Sequence, residues 1–282
     1  MSLTSTYTLA DGHKIPVVGF GTWQTPDGDV AEEAVKVALA AGYRHIDTAA
    51  IYGNERSVGK AIADFGIARE ELFITSKLWN TNQSYDDATT AIDESLEKLG
   101  LDYLDLYLIH WSNPKSSRGD NSSKRNNEVW RAMEDAVTAG KIRSIGVSNF
   151  YERHLEPLLK EARIKPVVNQ IFLNPGDQQK EIVAYNNKNN ILTEAYSPLG
   201  TGKMLDIPAV VDLAKKYNKT PAQLLLAWSL HKGYLPLPKS VTKERIESNT
   251  DIFFPLSSIE ISQLDALEGS SEPAKDPDKV DY

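Results

Sequence analysis

GYRHIDTAAIYGNE, from Gly42 to Glu55, places a carboxylate, Asp47, at the end of a short strand-like run and a phenol, Tyr52, just beyond it. Two further apolar runs end in the same way: FITSK stops at Lys77 and DLYLIH stops at His110. A carboxylate, a phenol, an ammonium and an imidazole at the mouths of three successive strands, or just past them, make up the parts of a proton-transfer site. A phenol titrates near about 10 in water, so acid work near neutrality calls for a neighbouring cation that favours phenolate. Lys77 is the candidate cation, and Asp47 its counter-ion.

Outward from this stretch, strand-like runs alternate with helix-like segments, the pattern of a parallel sheet covered by helices. The chain opens on an expected hairpin, Thr6 to Pro16, turned at the two-residue pair Asp11-Gly12. PVVGFGTW follows as the first barrel strand. Asp29 reads as an N-cap with Glu32 three residues on, and Gly42 ends that helix. RHID, LFITSK, LDLYLIH, IRSIGVS, PVVNQ, ILTEAYS and YLPLPKS complete eight strands. Helices are expected over Asp87 to Leu99, Asn127 to Ala139 and Thr220 to His231, the last opening on Thr220, Pro221 and Gln223 as cap, first position and third position. No linker or composition shift divides the chain. Eight strand–helix units predict an α/β fold, a (β/α)₈ barrel formed as one domain over residues 1–282.

Composition narrows the function. The 282 residues can bury a substantial core. A net charge of −8 argues against a nucleic-acid or anionic-membrane partner. Without cysteine there are no disulfides, thiolate nucleophiles or Cys-ligated zinc. The N-terminus lacks the pattern of a secretory signal, and no apolar run approaches membrane-spanning length, so a soluble cytoplasmic protein is expected.

A barrel keeps its chemistry at the C-terminal ends of its strands, and the sequence meets that requirement. The eight runs end in Trp23, Asp47, Lys77, His110, Ser148-Asn149, Asn169-Gln170, Tyr196-Ser197 and Lys239-Ser240. Polar ends in register at every strand favour a site formed by the whole mouth. With GFGTW (Gly19 to Trp23), Val58-Gly59, ITSKLW (Ile74 to Trp79), LIHW (Leu108 to Trp111), GKIRSIGVSNF (Gly140 to Phe150), VVNQ (Val167 to Gln170), AYSPLG (Ala195 to Gly200) and LPKSVTKER (Leu237 to Arg245), the chain resembles the aldo-keto reductases over essentially its full length. Its short loops after the strands are most similar to those of the small bacterial members, the diketogluconate and methylglyoxal reductases.

The resemblance implies a catalytic set of Asp47, Tyr52, Lys77 and His110. In it Tyr52 gives a proton to the substrate carbonyl, Lys77 held by Asp47 lowers the phenol's pKa, and His110 orients the carbonyl and steadies charge on its oxygen. A lone Asp, Lys or His at a strand end is ordinarily a surface charge or a satisfied hydrogen-bonder. A structural account of these residues would have to explain all four at once. His45, two residues before Asp47 and on the same face, reads as a buried structural histidine, and no metal is expected with only five histidines in the chain.

No G-x-G-x-x-G follows the first strand, so a nicotinamide donor would have to sit at the barrel mouth. By resemblance Ser148, Asn149 and Gln170 would hold its carboxamide, Tyr196 would stack on its ring, and Ser197 with Leu199 would line the pyrophosphate path. Thr22, Trp23, Val241 and the Asp47 side chain would add contacts. Lys239, Ser240 and Arg245 supply a point charge, a hydroxyl and a guanidinium fork suited to a ribose phosphate, which favours NADPH (NADP+) over NADH. Asn249 would contact adenine, beside Ser248 where many relatives carry Glu or Gln. Trp23, Trp79 and Trp111, with Tyr52 and His110, would wall a pocket for a small carbonyl substrate, while Trp130 and Trp228 read as packing. Ser112 stands where many relatives have Pro, and the stretch from Ser112 to Asn127 reads as polar and mobile. By resemblance a C-terminal loop from Ser270 to Tyr282 is expected over the mouth, its last few residues reading equally well as a frayed tail. The implied activity is NADPH-dependent reduction of aldehydes or ketones by a monomer. The alternative is a redox-sensing relative that binds cofactor but turns over poorly, and the intact set of four weighs against it.

Overall fold

Eight parallel strands follow one another around the sheet in chain order. The computed structural model describes residues 1–118 and 120–282. An antiparallel hairpin comes first, β1 (Thr6–Thr8) paired with β2 (Lys14–Pro16). The barrel strands are β3 (Phe20–Gly21), β4 (His45–Asp47), β5 (Phe73–Leu78), β6 (Leu104–Ile109), β7 (Ile142–Ser148), β8 (Val168–Phe172), β9 (Leu192–Tyr196) and β10 (Leu235–Leu237). Gly19 and Gly21 donate their N–H groups to the carbonyls of Pro236 (3.1 Å) and Pro238 (2.9 Å), which joins the first strand to the last and closes the barrel. The main helices between these strands are α1 (Asp29–Ala40), α2 (Glu55–Phe65), α3 (Tyr85–Leu99), α4 (Asp120–Thr138), α5 (Glu152–Glu161), α6 (Lys180–Lys188), α7 (Pro208–Lys216) and α8 (Pro221–His231). After β10 come α9 (Lys243–Ser248) and α10 (Ser258–Asp265).

The side-chain period of two along each strand sorts residues between the helix layer and the barrel interior. Ile46, Ile74 and Leu78 join the outer core with helix residues such as Val35, Ile92 and Trp130. Phe73, Leu106, Leu108, Val168, Leu235 and Leu237 instead form an inner cluster, into which the hairpin inserts Leu9 and Ile15. The hairpin is pinned by the Ser144 hydroxyl, which donates to Asp11 Oδ2 at 2.7 Å. Inner positions nearer the mouth turn polar: His45 and Asp47 on β4, Lys77 on β5, Gln170 on β8 and Glu194 on β9 are all buried. The same alternation that packs one end of the barrel thus delivers these polar side chains to the other.

Local structure differs from the sequence reading in three places. The hairpin turns through three residues, Ala10 to Gly12, with Gly12 N–H bonding to Leu9 O (2.9 Å), Leu9 N–H to His13 O (2.8 Å), and Gly12 at φ +90°. That conformation is one glycine adopts readily, so Asp11-Gly12 is part of a longer connection. Gly28, with its N–H on Ser57 Oγ, caps α1; Asp29 lies in the first turn, where a carboxylate still favours the helix dipole. Much of the stretch read as mobile is regular: a single helical turn at Lys115–Ser117 precedes α4, which starts seven residues before the expected Asn127. Ser112, Asn113, Arg125 and Asn126 are buried, because Arg125 and Asn126 satisfy the carbonyls of Trp111 and Ser112. Gly119 in that stretch lies outside the described residues. By contrast α8 opens as read, with a reciprocal Thr220–Gln223 capping box and Pro221 in its first turn, and Trp130 and Trp228 are packed in the core.

Gly59 shows how tightly the helix layer is set. A Cβ on it would lie 2.2 Å from the carbonyl oxygen of Leu99 at the end of α3. Only backbone movement relieves such a contact, so Gly59→Ala is expected to destabilise the protein by about 1–3 kcal/mol. Urea unfolding of the variant checks this; a parent-like midpoint would show that α2 can move off α3 at no cost.

Candidate active site

Lys77 is the centre of the mouth. Its side chain is 0% exposed, and its ammonium donates to Asp47 Oδ1 (2.7 Å), Thr48 O (2.8 Å) and Tyr52 Oη (3.4 Å), one acceptor for each N–H. Asp47 reaches this point because β4 ends there and its backbone is clamped. The N–H and hydroxyl of Thr22 both donate to Asp47 O, each at 3.0 Å. Asn54 ties the next loop down: its amide donates to Thr22 O (3.0 Å) and Thr25 O (3.1 Å) and accepts from the Thr48 hydroxyl (3.0 Å). Tyr52 sits in a helical turn, Ala50–Tyr52, between β4 and α2. No sequence signal marks Asn54 for this task, since Thr22 and Thr25, which its amide group holds, lie far off in the chain.

The electrostatics differ in one respect from the expectation. Burial raises the Tyr52 pKa; Lys77 pulls it down as anticipated, but burial, helped by Asp47, prevails. The phenol is therefore protonated at rest. Burial works against charge on Lys77, yet Asp47 and Tyr52 outweigh it and raise its pKa, so the ammonium persists. His110 is held well below its usual value by burial and by Lys77, which makes it a neutral imidazole. Its ring meets Tyr52 edge-on at 5.8 Å and Trp79 at 5.1 Å, and its Nδ1 is buried without a partner among the described residues. His45 hydrogen-bonds Thr75 Oγ1 (3.0 Å) and titrates near about 3 through burial and Lys77, as a structural histidine should.

The residues read as a nicotinamide cradle gather beside this group. Asn149, at φ +57°, donates to His110 O (3.0 Å) and Ser148 Oγ (3.1 Å) and accepts from the Tyr196 hydroxyl (2.8 Å). The Ser148 hydroxyl donates to Gln170 O (2.8 Å). Gln170 Nε2 reaches two carboxylates, Asp47 Oδ2 (2.9 Å) and Glu194 Oε2 (2.8 Å). Ser197 and Leu199 are half-buried past the end of β9. Lys239, Val241 and Arg245 are exposed and Ser240 half-exposed on the rim after β10, and Asn249 is buried at the end of α9. The Ser248 hydroxyl is turned onto Arg245 O (3.2 Å).

A further aromatic side chain joins two of the residues read as an aromatic wall. Tyr282 stacks on Trp79 (5.8 Å, 26°) and meets Trp111 edge-on (5.2 Å, 74°), while Trp23 is 50% exposed and takes no part in these contacts. The C-terminal segment thus lies over the mouth as expected. Asp278 holds it there, accepting from Asn113 Nδ2 (2.7 Å), His154 Nε2 (2.8 Å) and Arg153 Nε (2.7 Å). Ser112 donates to Asn149 O (2.9 Å) and lies 3.0 Å from His154 Nδ1, so this anchor abuts the cradle. Nothing local in the sequence pairs residue 278 with residue 113.

The closed barrel thus brings an acid, a phenol, an ammonium and an imidazole together at one mouth. The chain belongs to the aldo/keto reductase family, whose profile matches residues 17–268. It is 46% identical over 280 residues to the glyoxal reductase of Bacillus subtilis, covering 99% of this chain and 98% of that protein. It is 43% identical to the methylglyoxal reductase DkgA of Yersinia pestis, again over 99% and 98% of the two chains. The crystal structure of a Bombyx mori aldo-keto reductase in complex with NADP superposes with a TM-score of 0.87 at 38% identity, covering 96% of this chain and 95% of that one.

The anchor of the C-terminal segment should be pH-dependent. Burial pushes the Asp278 carboxyl up, but the hydrogen bonds from Asn113, His154 and Arg153 outweigh it and bring it down to about 2. A carboxylate depressed in the folded state contributes stability that is present above its unfolded pKa of about 4 and is lost as pH falls toward the folded value. Tryptophan fluorescence from Trp79 and Trp111 should therefore change between about pH 4 and about pH 2, and Asp278→Ala should show that change already near neutrality. A variant with the parent's fluorescence at neutral pH would show that Asp278 does not hold Tyr282 in place.

Proposed function

We propose that this protein reduces aldehydes and ketones to alcohols with NADPH. The observation that carries the reading is the buried Lys77 ammonium, shared between Asp47 and the Tyr52 hydroxyl with the neutral His110 ring alongside. The residues suit the cofactor. Tyr196 is half-buried at the mouth, Gln170 and Asn149 bring amide groups beside it, and the Arg245 side chain has no partner among the described residues. In this reading Ser148, Asn149 and Gln170 hold the carboxamide, Tyr196 faces the ring, and Ser197 and Leu199 flank the pyrophosphate. Thr22, Trp23, Val241 and Asn249 complete the contacts, and Lys239, Ser240 and Arg245 take the ribose phosphate. Bound there, the reduced nicotinamide supplies hydride.

The chain's own residues supply the rest. Tyr52, protonated at rest, gives its proton to the carbonyl oxygen as negative charge develops there, and Lys77 stabilises the phenolate left behind. Asp47 keeps Lys77 in place and charged. His110, being neutral, can donate one N–H to the same oxygen without competing as an acid. Trp79, Trp111 and Tyr282 gather an aromatic surface beside His110, suited to small carbonyl compounds and in keeping with the glyoxal and methylglyoxal reductases among the relatives. We extend the reading to a single domain, residues 1–282, working as a cytoplasmic monomer without nucleic-acid or membrane partners. The acidic net charge of −8 is in keeping with this, and among the described residues no helix is long and apolar enough to cross a membrane.

NADPH oxidation followed against aldehydes, ketoses, diketones and α-keto esters tests the reaction. Small oxo-aldehydes should be turned over, and Tyr52→Phe should lower kcat by about 10²–10⁴ while still binding NADPH. If no carbonyl compound speeds oxidation by the parent protein, the enzyme reading fails. Arg245→Ala should weaken NADPH binding by about tenfold or more, the scale of a charged hydrogen bond, and leave NADH nearly unchanged. Equal weakening of both would remove the ribose phosphate from Arg245.

A further inference from the structure

Glu194 is a buried acid for which the proposed mechanism has no use. It is 0% exposed on β9, two residues before Tyr196 and therefore on the same inward face of the strand. Oε2 accepts from Gln170 Nε2 at 2.8 Å, and the same amide nitrogen reaches Asp47 Oδ2 at 2.9 Å, so Glu194 is one side chain away from the Lys77–Asp47 pair. Oε1 is buried with no hydrogen-bond partner among the described residues. An ionised carboxylate with one bare, buried oxygen is costly, and the neutral acid removes that cost.

The groups around it make the balance close. From β4 comes Asp47, which opposes a second negative charge; His45, two residues before it on the same inner face, is neutral. From β5 comes Lys77, which favours one. The adjoining strands contribute the uncharged Gln170 on β8 and apolar Leu235 on β10, each directly opposite Glu194 in the sheet register. Burial first, then Asp47, raise the Glu194 carboxyl to about 8, against the hydrogen bond from Gln170 and the pull of Lys77. One added positive charge nearby would tip it.

The nicotinamide site is where that charge changes: the ring is uncharged when reduced and cationic when oxidised. Resting on the function proposed above, in which Gln170 holds the carboxamide and Tyr196 faces the ring, we propose that Glu194 is a positioning residue for the nicotinamide that changes its protonation with the ring's charge. It is neutral beside the reduced cofactor and ionised beside the oxidised one. Binding of NADP+ then breaks the O–H bond of the Glu194 carboxyl and releases that proton to solvent; binding of NADPH releases none. Neutral Glu194 favours retention of the reduced form, and ionised Glu194 holds the oxidised form more firmly. The Tyr52–Lys77 pair does not mimic this, since both of its pKa values are raised.

Binding of both nucleotides, measured by titration calorimetry in buffers of different ionisation enthalpy, tests the assignment without turnover. Between about pH 6.5 and about pH 9 the affinity for NADP+ relative to NADPH should rise by about tenfold, the effect of a one-unit downward pull on one acid. The ratio cancels the ribose phosphate, which both nucleotides carry. NADP+ should also release more protons than NADPH near pH 7.5, and Glu194→Gln, which keeps the shape and the contact with Gln170, should abolish both differences. A pH-independent ratio in the parent protein, with both nucleotides binding, overturns this inference alone. So does a pH-dependent ratio that survives in a folded Glu194→Gln. Should the variant fail to fold, proton release by the parent protein decides: equal release by the two nucleotides overturns the assignment. Failure of the parent to bind either nucleotide overturns the proposed function as well.

Discussion

A lysine ammonium cut off from water is stable only if the protein replaces its hydration completely. Lys77 meets that condition with three acceptors, Asp47, the Thr48 carbonyl and the Tyr52 hydroxyl. Removing one partner of a buried ion pair leaves an uncompensated charge, which costs about 3–5 kcal/mol, so the surroundings of this pair are constrained along with it. Thr22 and Asn54 fix the chain on either side of Asp47, and Gln170 takes the carboxylate oxygen that Lys77 leaves free. The pair thus serves structure and chemistry together: the interaction that permits a cation inside the barrel also sets the potential felt by the phenol and imidazole beside it.

The mouth is built as two connected shells. Asn149 touches both, receiving the Tyr196 hydroxyl on the cradle side and Ser112 on the side of the C-terminal anchor. Through Ser112 and His154 the contact runs on to Asp278, and so to the segment that lays Tyr282 on two tryptophans. Cradle and cover are therefore positioned by shared side chains.

What could be read from the sequence was whatever follows from period and local geometry. Apolar runs alternating with helix-like segments located all eight barrel strands; Lys77 and His110 point inward because each lies an even number of residues from an inner apolar neighbour, and Asp47 because it follows the outward-facing Ile46. The Thr220–Gln223 cap was legible because both partners lie in one turn. Contacts between distant residues were not. Glu194 reads as an unremarkable acid in TEAYS until the barrel brings Gln170 and Asp47 to it, and Tyr282 gives no sign in sequence of joining Trp79. The net direction of the Tyr52 pKa is hidden in sequence for a related reason: charged neighbours can be guessed from motifs, but depth of burial is a property of the whole fold. Asp29 lost its capping role to Gly28 because the cap was decided by a contact from Ser57 on another helix.

The hairpin has a consequence for traffic. By inserting Leu9 and Ile15 into the inner cluster it stoppers the barrel at the end away from the site. The interior becomes a vessel with one opening, and whatever is seated deeper must go in first and come out last. Protons obey the same rule: an acid on the inner wall equilibrates with solvent only through the opening, and whatever lies across that opening times the exchange.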